Sequence, residues 1–445
     1  MNAYYQTSSN HQNISQTLEI NKDPRPTTKL YGVSQNFAQK VPTEQQNSSV
    51  TRTKTRQSNI STHGSNIVNP KTENNYLRQG QEIVSGTSGI ITKERNNDAA
   101  SRYSRMDYLS SPTPEKNYKI MVGIHNIGNT CYMNSVLQCI CRLPLIRRNL
   151  ASLEVMVYNK NSRAKGKLLQ AFNDTVRNLN NPTANGAFYP YGMRNAIGTI
   201  SAQFLGYHQH DSAEFFRKLI EGLNEETSRV ITKPLYEEMK GDSRELISSI
   251  ADRWWAYSLS RDNSLITDIF QGQYFSTISC DCKHKEYSCD TLFDLSLTLP
   301  STITYSCTLY DCFDSLTREI SVPEYKCQSC KEKGKCRSKI EFYRLPKVLV
   351  IQLKRFIISM SHAQKLDTQV IYPDTLDLKK YCRNECSKYK LHGISSHFGS
   401  LSSGHYIADV FEDNQWYFYN DERVSMSDFP KKYSSAYLLF YIMNN

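Results

Sequence analysis

Cys131 closes a turn-like stretch and opens an apolar one: "GIHNIGNTCYMNSVLQCI" runs over residues 123–140. Thr130 suits an N-cap, and the Gly and Asn before it suit a tight turn. Met133, Val136, Leu137 and Ile140 then recur at i, i+3, i+4 and i+7, one face of a helix. That pattern puts Cys131 in the first helical turn, where unpaired N–H groups and the helix dipole favour an anion. A thiolate placed there is a nucleophile; a small buried thiol is the competing reading of the same position. Cys139 and Cys141 lie deeper in the helix or just past it, without that advantage. Asn126, five residues upstream in a Gly-bounded loop, offers a side-chain amide that either donates to an oxyanion or serves the turn.

A nucleophilic cysteine needs a histidine base, and the base needs a group to hold its ring. "SSHFGSLSSGHYIADVFEDNQWYFYNDERVS" contains both. Residues 395–404 read as a Ser/Gly-rich loop. His405 then opens a strand with Tyr406, Ala408 and Val410. "QWYFYND" predicts a second strand that returns antiparallel and brings Asn420 and Asp421 beside the start of the first. His397 is the rival base, but it precedes the loop and has no comparable partner.

These residues need a scaffold, and the composition says where it lies. The chain has 445 residues, 13 cysteines and 39% hydrophobic residues. Residues 1–117 are rich in Asn, Ser, Thr and Gln, with no Cys, no Trp and one Phe, Phe37. With so little to bury, this segment is expected to be a disordered polar tail. From about Tyr118 onward the pattern becomes that of a folded domain. "IRRNLASLEVMVYN" and "DSAEFFRKLIEGLNEE" read as helices. "LFDLSLTLP", "KVLVIQLKRFI", "HYIADVFED", "QWYFYND" and "AYLLFYIM" read as strands. Helices first and strands after argue for an α+β fold. The net charge of +11 is spread along the chain: 14 Lys/Arg face 9 Asp/Glu in residues 1–117, and 40 face 34 beyond. No basic block with interleaved aromatics stands out, so no nucleic-acid partner is expected. The N-terminus lacks a secretory pattern, Asn2 excludes N-myristoylation, and no apolar run is long enough to span a membrane. An intracellular protein, cytoplasmic or nuclear, with reduced, metal-bound or catalytic cysteines is expected.

With these stretches in order, the chain resembles the ubiquitin-specific protease family of papain-like cysteine deubiquitinases. "GIHNIGNTCYMNSVLQC" resembles the family's cysteine box and "HGISSHFGSLSSGHYIADV…WYFYND" its histidine box. Between them, "QHDSAEFFRKL" is similar to its Gln-Asp box, "DIFQGQYFSTISC" to the start of its fingers, and "LPKVLVIQLKRF" to a core strand. The resemblance covers about 120–443. It implies a helical thumb at about 120–265, β-rich fingers at about 266–345 and a palm at about 346–443, within a catalytic domain over 118–445. It implies Cys131 as nucleophile, His405 as base, Asn420 as the residue that orients the imidazole with Asp421 able to help or substitute, and Asn126 at the oxyanion. His397 matches an upstream family histidine that is not the base. Asp211 matches the carboxylate that helps receive ubiquitin's basic tail, although His210 and Ser212 depart from the commoner box. The implied activity is hydrolysis after the C-terminal glycine of ubiquitin, with ubiquitin and ubiquitinated proteins as partners and the enzyme a monomer. A non-catalytic ubiquitin-binding scaffold and a protease for another ubiquitin-like modifier are the rival readings.

A metal enters through "CDC" at 280–282 and "YKCQSC" at 325–330. A C-x₂-C pair is a good zinc half-site because both sulfurs reach one tetrahedral ion. The resemblance implies a structural zinc ribbon held by Cys280, Cys282, Cys327 and Cys330. The C-x-C half is tighter than the family's usual spacing, and Cys289, Cys336 or His284 are alternative ligands.

Overall fold

The computed structural model describes residues 121–151, 158–237, 239, 241–300, 305–358, 363–384, 388–400 and 403–444. The tail expected over 1–117 lies outside the described residues. Helices come first: α1 (Cys131–Cys141), α2 (Pro144–Ala151), α3 (Lys167–Leu179), α4 (Tyr191–Ile200), α5 (Ser212–Glu226), α6 (Ile247–Arg261) and α7 (Leu265–Phe270), with α8 (Leu309–Thr317) later in the chain. The helix read from residue 146 onward begins at Pro144 and is described to Ala151; residues 152–157 lie outside the described set.

The strands divide between two main sheets. A five-stranded antiparallel sheet has the order β1 (Gly241–Asp242), β3 (Lys285–Leu292), β2 (Gly272–Cys280), β7 (Cys336–Arg344), β6 (Ile320–Ser321). An eight-stranded sheet runs β16 (Arg423–Ser427), β15 (Gln415–Asn420), β14 (Gly404–Glu412), β13 (Lys388–Gly399), β17 (Ala436–Met443), β8 (Val348–Lys354), β4 (Leu295–Thr298), with β12 (Thr375–Asp377) also on β13. Two small pairs complete the set: β9 (Phe356–Ile358) with β10 (Ala363–Lys365), and β5 (Ser306–Thr308) with β11 (Gln369–Ile371).

The boundaries expected for the fingers are crossed twice. Leu295 and Leu297 are fully buried, and β4 joins the large sheet parallel to β8 rather than staying with β2 and β3. In return β1, from the helical stretch, extends the five-stranded sheet at β3. Burial accounts for the first: β4 has apolar side chains that the large sheet covers.

The near-continuous apolar runs of β8 and β17 follow from their place in that sheet. Val348, Val350, Leu438 and Phe440 face the helices, while Leu349, Ile351, Leu439 and Tyr441 face a second core under α8. Strands buried on both faces lose the alternation that a half-exposed strand shows. Helix α1 lies between the layers, against β14 and β13 on one side and α3 and α5 on the other. All eleven of its residues are buried, which a helix on a solvated surface never shows. Its polar side chains therefore need partners inside. Ser135 Oγ meets Ser395 Oγ at 2.9 Å, and Gln138 Nε2 donates to the Val122 carbonyl at 3.0 Å.

Arg142, just past α1, is completely buried and donates to Gln138 Oε1 at 2.9 Å, the Val122 carbonyl at 3.1 Å and Glu412 Oε2 at 3.0 Å. Arg147 reaches the other oxygen of Glu412. Removing one side of a buried ion pair leaves the other charge uncompensated. Glu412→Ala is therefore expected to cost about 3–5 kcal/mol of unfolding free energy, read from the midpoint of urea denaturation. A change under about 1 kcal/mol, the value of an exposed pair, would refute that assignment.

Candidate active site

The start of α1 meets the ends of β14 and β15. Cys131 is 3% exposed, and it is the largest influence on the charge of the His405 ring. His405 Nε2 lies 2.7 Å from Asn420 Oδ1. A carbonyl oxygen only accepts, so Nε2 carries a proton and Nδ1 is the ring nitrogen left for exchange with a thiol. The hairpin does this positioning: β14 and β15 pair antiparallel, with Ala408 opposite Tyr419. His405 is raised from 6.5 to about 9, first by Cys131, against the lowering effect of burial, and then by Asn420. Below that value the ring is an imidazolium, with a proton on each nitrogen.

Asp421 has a different set of partners from the one its place in the hairpin suggests. Its Oδ2 is 4.0 Å from His405 Nε2, outside hydrogen-bonding range. That same oxygen accepts from Asn126 Nδ2 at 3.0 Å, and Oδ1 accepts from Asn134 Nδ2 at 2.7 Å. Its negative charge still acts on His405 through space, while its hydrogen bonds brace the loop before α1. The Asn126 side chain is held at both ends. Its Oδ1 accepts from the Gly128 and Thr130 N–H groups at 3.2 and 3.1 Å. These bonds fix the amide orientation and leave the second Nδ2 hydrogen for a guest. Thr130 stands at the N-cap position without a side-chain cap bond. Its hydroxyl accepts instead from the Ile127 N–H at 3.0 Å. The first N–H groups of α1 thus keep their donor capacity for an anion at the helix mouth.

The other thiols and histidines have different surroundings. Cys139 and Cys141 are fully buried, and burial pushes both thiols well above the ordinary range. Burial lowers His397 to about 4, with Lys365 adding to the effect. It therefore stays neutral, packed beside Phe356 and Tyr406. Asp211 caps α5, accepting from the Ala213 and Glu214 N–H groups at 2.7 and 3.0 Å. Its second oxygen accepts from the Tyr437 hydroxyl, and burial raises its pKa. Both oxygens of this carboxylate are thus already engaged within the fold.

Two positioning residues were not legible in the sequence. Gln209 clamps the backbone of Gly404: Nε2 donates to the carbonyl at 2.6 Å and Oε1 accepts from the N–H at 3.1 Å. This ties the loop before α5 to the start of the His405 strand. A Cβ on Gly404 would fall 2.1 Å from His397 Nε2, so only glycine fits there. Asn134 is the other; its helical position marks it as polar and nothing local points to Asp421.

Far from this site, Cys280 and Cys282 at the end of β2 meet Cys327 and Cys330 in the loop before β7. The four sulfurs lie within 4.8 Å of one another, with Cys280–Cys330 at 3.7 Å and Cys282–Cys327 at 3.6 Å. Zn–S bonds of about 2.3 Å in a tetrahedron put sulfurs about 3.8 Å apart, so the cluster fits such an ion. The tight C-x-C half closes through a turn in which Lys283 adopts a φ of 69°. Of the alternative ligands, His284 pairs with Glu286 at 3.3 Å, Cys289 is buried beside Phe275, and Cys336 pairs with Cys280 across β2 and β7 outside the four-sulfur group.

A helix-start thiol, an imidazole held by an amide and donors converging on the helix mouth are the groups that thiol hydrolysis uses. The chain belongs to the ubiquitin carboxyl-terminal hydrolase family, the ubiquitin-specific proteases, whose model matches residues 122–441. It is 33% identical over 336 residues to ubiquitin carboxyl-terminal hydrolase 2 of Bos taurus, covering 72% of this chain and 55% of that protein. It is 31% identical to ubiquitin carboxyl-terminal hydrolase 5 of Saccharomyces cerevisiae, covering 72% and 44%. The chain thus spans about half the length of these relatives. Among solved structures, the SAGA Ubp8/Sgf11/Sus1/Sgf73 DUB module bound to ubiquitin aldehyde superposes with a TM-score of 0.56 at 25% identity, covering 73% of this chain and 70% of that one. The module bound to monoubiquitin gives 0.57, also at 25% identity, covering 74% and 70%.

The causes acting on His405 yield a direct measurement. In histidine-labelled protein, its imidazole resonances are expected to titrate near about 9. Cys131→Ala removes the largest raising cause and should bring the midpoint down toward 6.5. Asn420→Ala should lower it as well. A midpoint that ignores both substitutions would show that neither group holds the ring.

Proposed function

We propose that this protein hydrolyses the peptide or isopeptide bond that follows the C-terminal glycine of ubiquitin. The observation that carries the reading is the His405–Asn420 contact of 2.7 Å beside the helix-start Cys131. With the proton of Cys131 already on His405, the sulfur attacks the glycine carbonyl. The second Asn126 hydrogen and the Cys131 backbone N–H receive the oxyanion, in a site where the amide is already aimed. The imidazolium then gives its proton to the leaving amine. Water hydrolyses the thioester, with His405 as base and then acid.

Asn420 keeps the ring in the reactive tautomer, as an orienting group does in related triads. Asp421 acts on the oxyanion side by bracing Asn126 and adds its charge to the imidazolium. Asp211, which keeps α5 and Tyr437 in place, is assigned to the basic tail of ubiquitin. Asp211 meets Tyr437 on β17, so this assignment puts the tail, and the body of ubiquitin beyond it, on the β17 side of His405. The four-cysteine cluster is assigned to zinc, since an all-sulfur tetrahedral set suits that ion. Zinc would tie β2 to the loop before β7 and has no part in the chemistry. A reactive thiol and a thiolate knuckle both persist in a reducing compartment, which supports a cytoplasmic or nuclear location.

Incubation with ubiquitin bearing a C-terminal electrophile is expected to give a covalent adduct on Cys131, absent in Cys131→Ala. No adduct in the wild type would overturn the enzyme reading in favour of a ubiquitin-binding scaffold. Faster adduct formation with another ubiquitin-like modifier would move the specificity. For an amide substrate, kcat/KM should decline as pH rises through about 9, where His405 loses the proton the leaving amine needs. Purified protein should carry about one zinc per chain, and Cys327→Ser with Cys330→Ser should abolish it and destabilise the β2–β7 end. An unchanged metal content would remove the zinc assignment.

A further inference from the structure

Next to the oxyanion loop lies a row of rings, half-buried at His125 and exposed at Tyr189 and Tyr191, that the reaction above does not use. His125 stacks on Tyr189 with centroids 3.9 Å apart and planes 17° from parallel, and Tyr189 stacks on Tyr191 at 6.0 Å and 2°. Tyr189 is 57% exposed and Tyr191 52%. The row ends at Arg194, whose guanidinium lies 6.0 Å from the Tyr191 ring and 5.0 Å from that of Tyr207. Among the described residues Arg194 has no ion-pair partner, and its Nε is buried without a hydrogen bond. Single exposed aromatics are ordinary; a stacked row ending in an uncompensated cation is the composition of a contact surface.

The row is built onto the catalytic loop. His125 N–H donates to the Phe188 carbonyl at 2.8 Å, Phe188 N–H to the Gly123 carbonyl at 2.9 Å, and Arg194 to the Ile127 carbonyl at 3.2 Å. Its direction from the reacting atoms follows from the strand order. The chain passes between the two sheets at the β4–β8 edge of the large sheet; the opposite edge is β15–β16. His405 starts β14, and the turn after β15 receives the Ile124 N–H on the Asp421 carbonyl at 2.9 Å. That turn also sits so close to Gly123 that a Cβ there would lie 2.4 Å from the Glu422 carbonyl oxygen. The ring row therefore lies toward the far edge, past Cys131 for a chain that arrives from the side of Asp211 and β17.

We infer that this row binds the polypeptide on the leaving side of the scissile bond: an extended segment flanking the modified lysine, apolar, with an acidic residue that reaches Arg194. This rests on the deubiquitinase reading, which seats ubiquitin on the β17 side of His405. The shape favours an extended segment, since three rings in single file span about three residues of strand-like chain. The charge favours a carboxylate at the Arg194 end, and the rings accept aliphatic groups, including the lysine stem.

The test compares three substrates: ubiquitin with an aminocoumarin leaving group, ubiquitin isopeptide-linked to a lysine within an apolar peptide carrying one Glu, and the same conjugate with Lys in place of that Glu. Wild-type enzyme is expected to prefer the Glu conjugate over the Lys one about fivefold or more in kcat/KM. Tyr189→Ala with Tyr191→Ala should lower kcat/KM for the Glu conjugate about fivefold or more, mainly through KM, with coumarin release within about twofold of wild type. Tyr191→Ala alone should show the same split at smaller size. An equal fall on both leaving groups would make the rings supports of the loop and overturn the proposal. No fall on the conjugate, or no preference for Glu, would overturn it too. If wild type releases no coumarin, the deubiquitinase reading itself fails, and that result is separate from the others.

Discussion

Helix α1 has no face left for solvent, and the site depends on that constraint. Eleven buried residues fix its axis between the helical layer and the sheet, and with it the point where its first turn emerges. Side chains within a close-packed core have little room to shift. The polar residues of α1 are consequently tied across the layer boundary: Ser135 to β13, Gln138 to the segment before the helix, and Asn134 to Asp421. Each bond satisfies a buried group and also sets register between Cys131 and the strands that carry His405 and Asn420.

A second consequence concerns the hydrogen-bond donors that are left over. A capping side chain at Thr130 would occupy an N–H of the first turn and reduce the donor field at the helix mouth. Thr130 turns its hydroxyl back into the loop, and Asn126 is held by Asp421 and by the loop backbone. Donors fixed before the reaction require no reorganisation during it, which is the basis of electrostatic preorganisation. The histidines follow the same logic through burial. His397 and His405 lie on neighbouring strands, yet one is lowered to about 4 and the other raised to about 9. Desolvation acts on both, and only His405 has a sulfur and an amide oxygen to favour its charged form.

The α+β order, the central strands and the helix at Cys131 were all legible in the sequence, because hydrophobic period and turn residues are local signals. "AYLLFYIM" coincides with β17, and "DSAEFFRKLIEGLNEE" with α5 and its Asp cap. The His405 hairpin was legible for the same reason, since its two strands are adjacent in the chain. The transfer of β4 to the large sheet was not, because apolar residues in a short strand do not say which sheet will cover them. The Gln209–Gly404 clamp joins positions 195 residues apart, and no local pattern encodes such a pair.

Residue type and spacing alone thus determined which groups were available for chemistry: a thiol at a helix start, an imidazole at a strand start, amides beside each, and four cysteines in two pairs. The tertiary structure decided how these groups are divided between tasks. Asp421 lies next to Asn420 in the chain, but its carboxylate bonds Asn126 and Asn134, with His405 at 4.0 Å. Asp211 likewise holds α5 and Tyr437 with both of its oxygens. A carboxylate's partners depend on which donors the packed layers bring within about 3 Å, a distance set by the burial of α1 and not by neighbours in sequence.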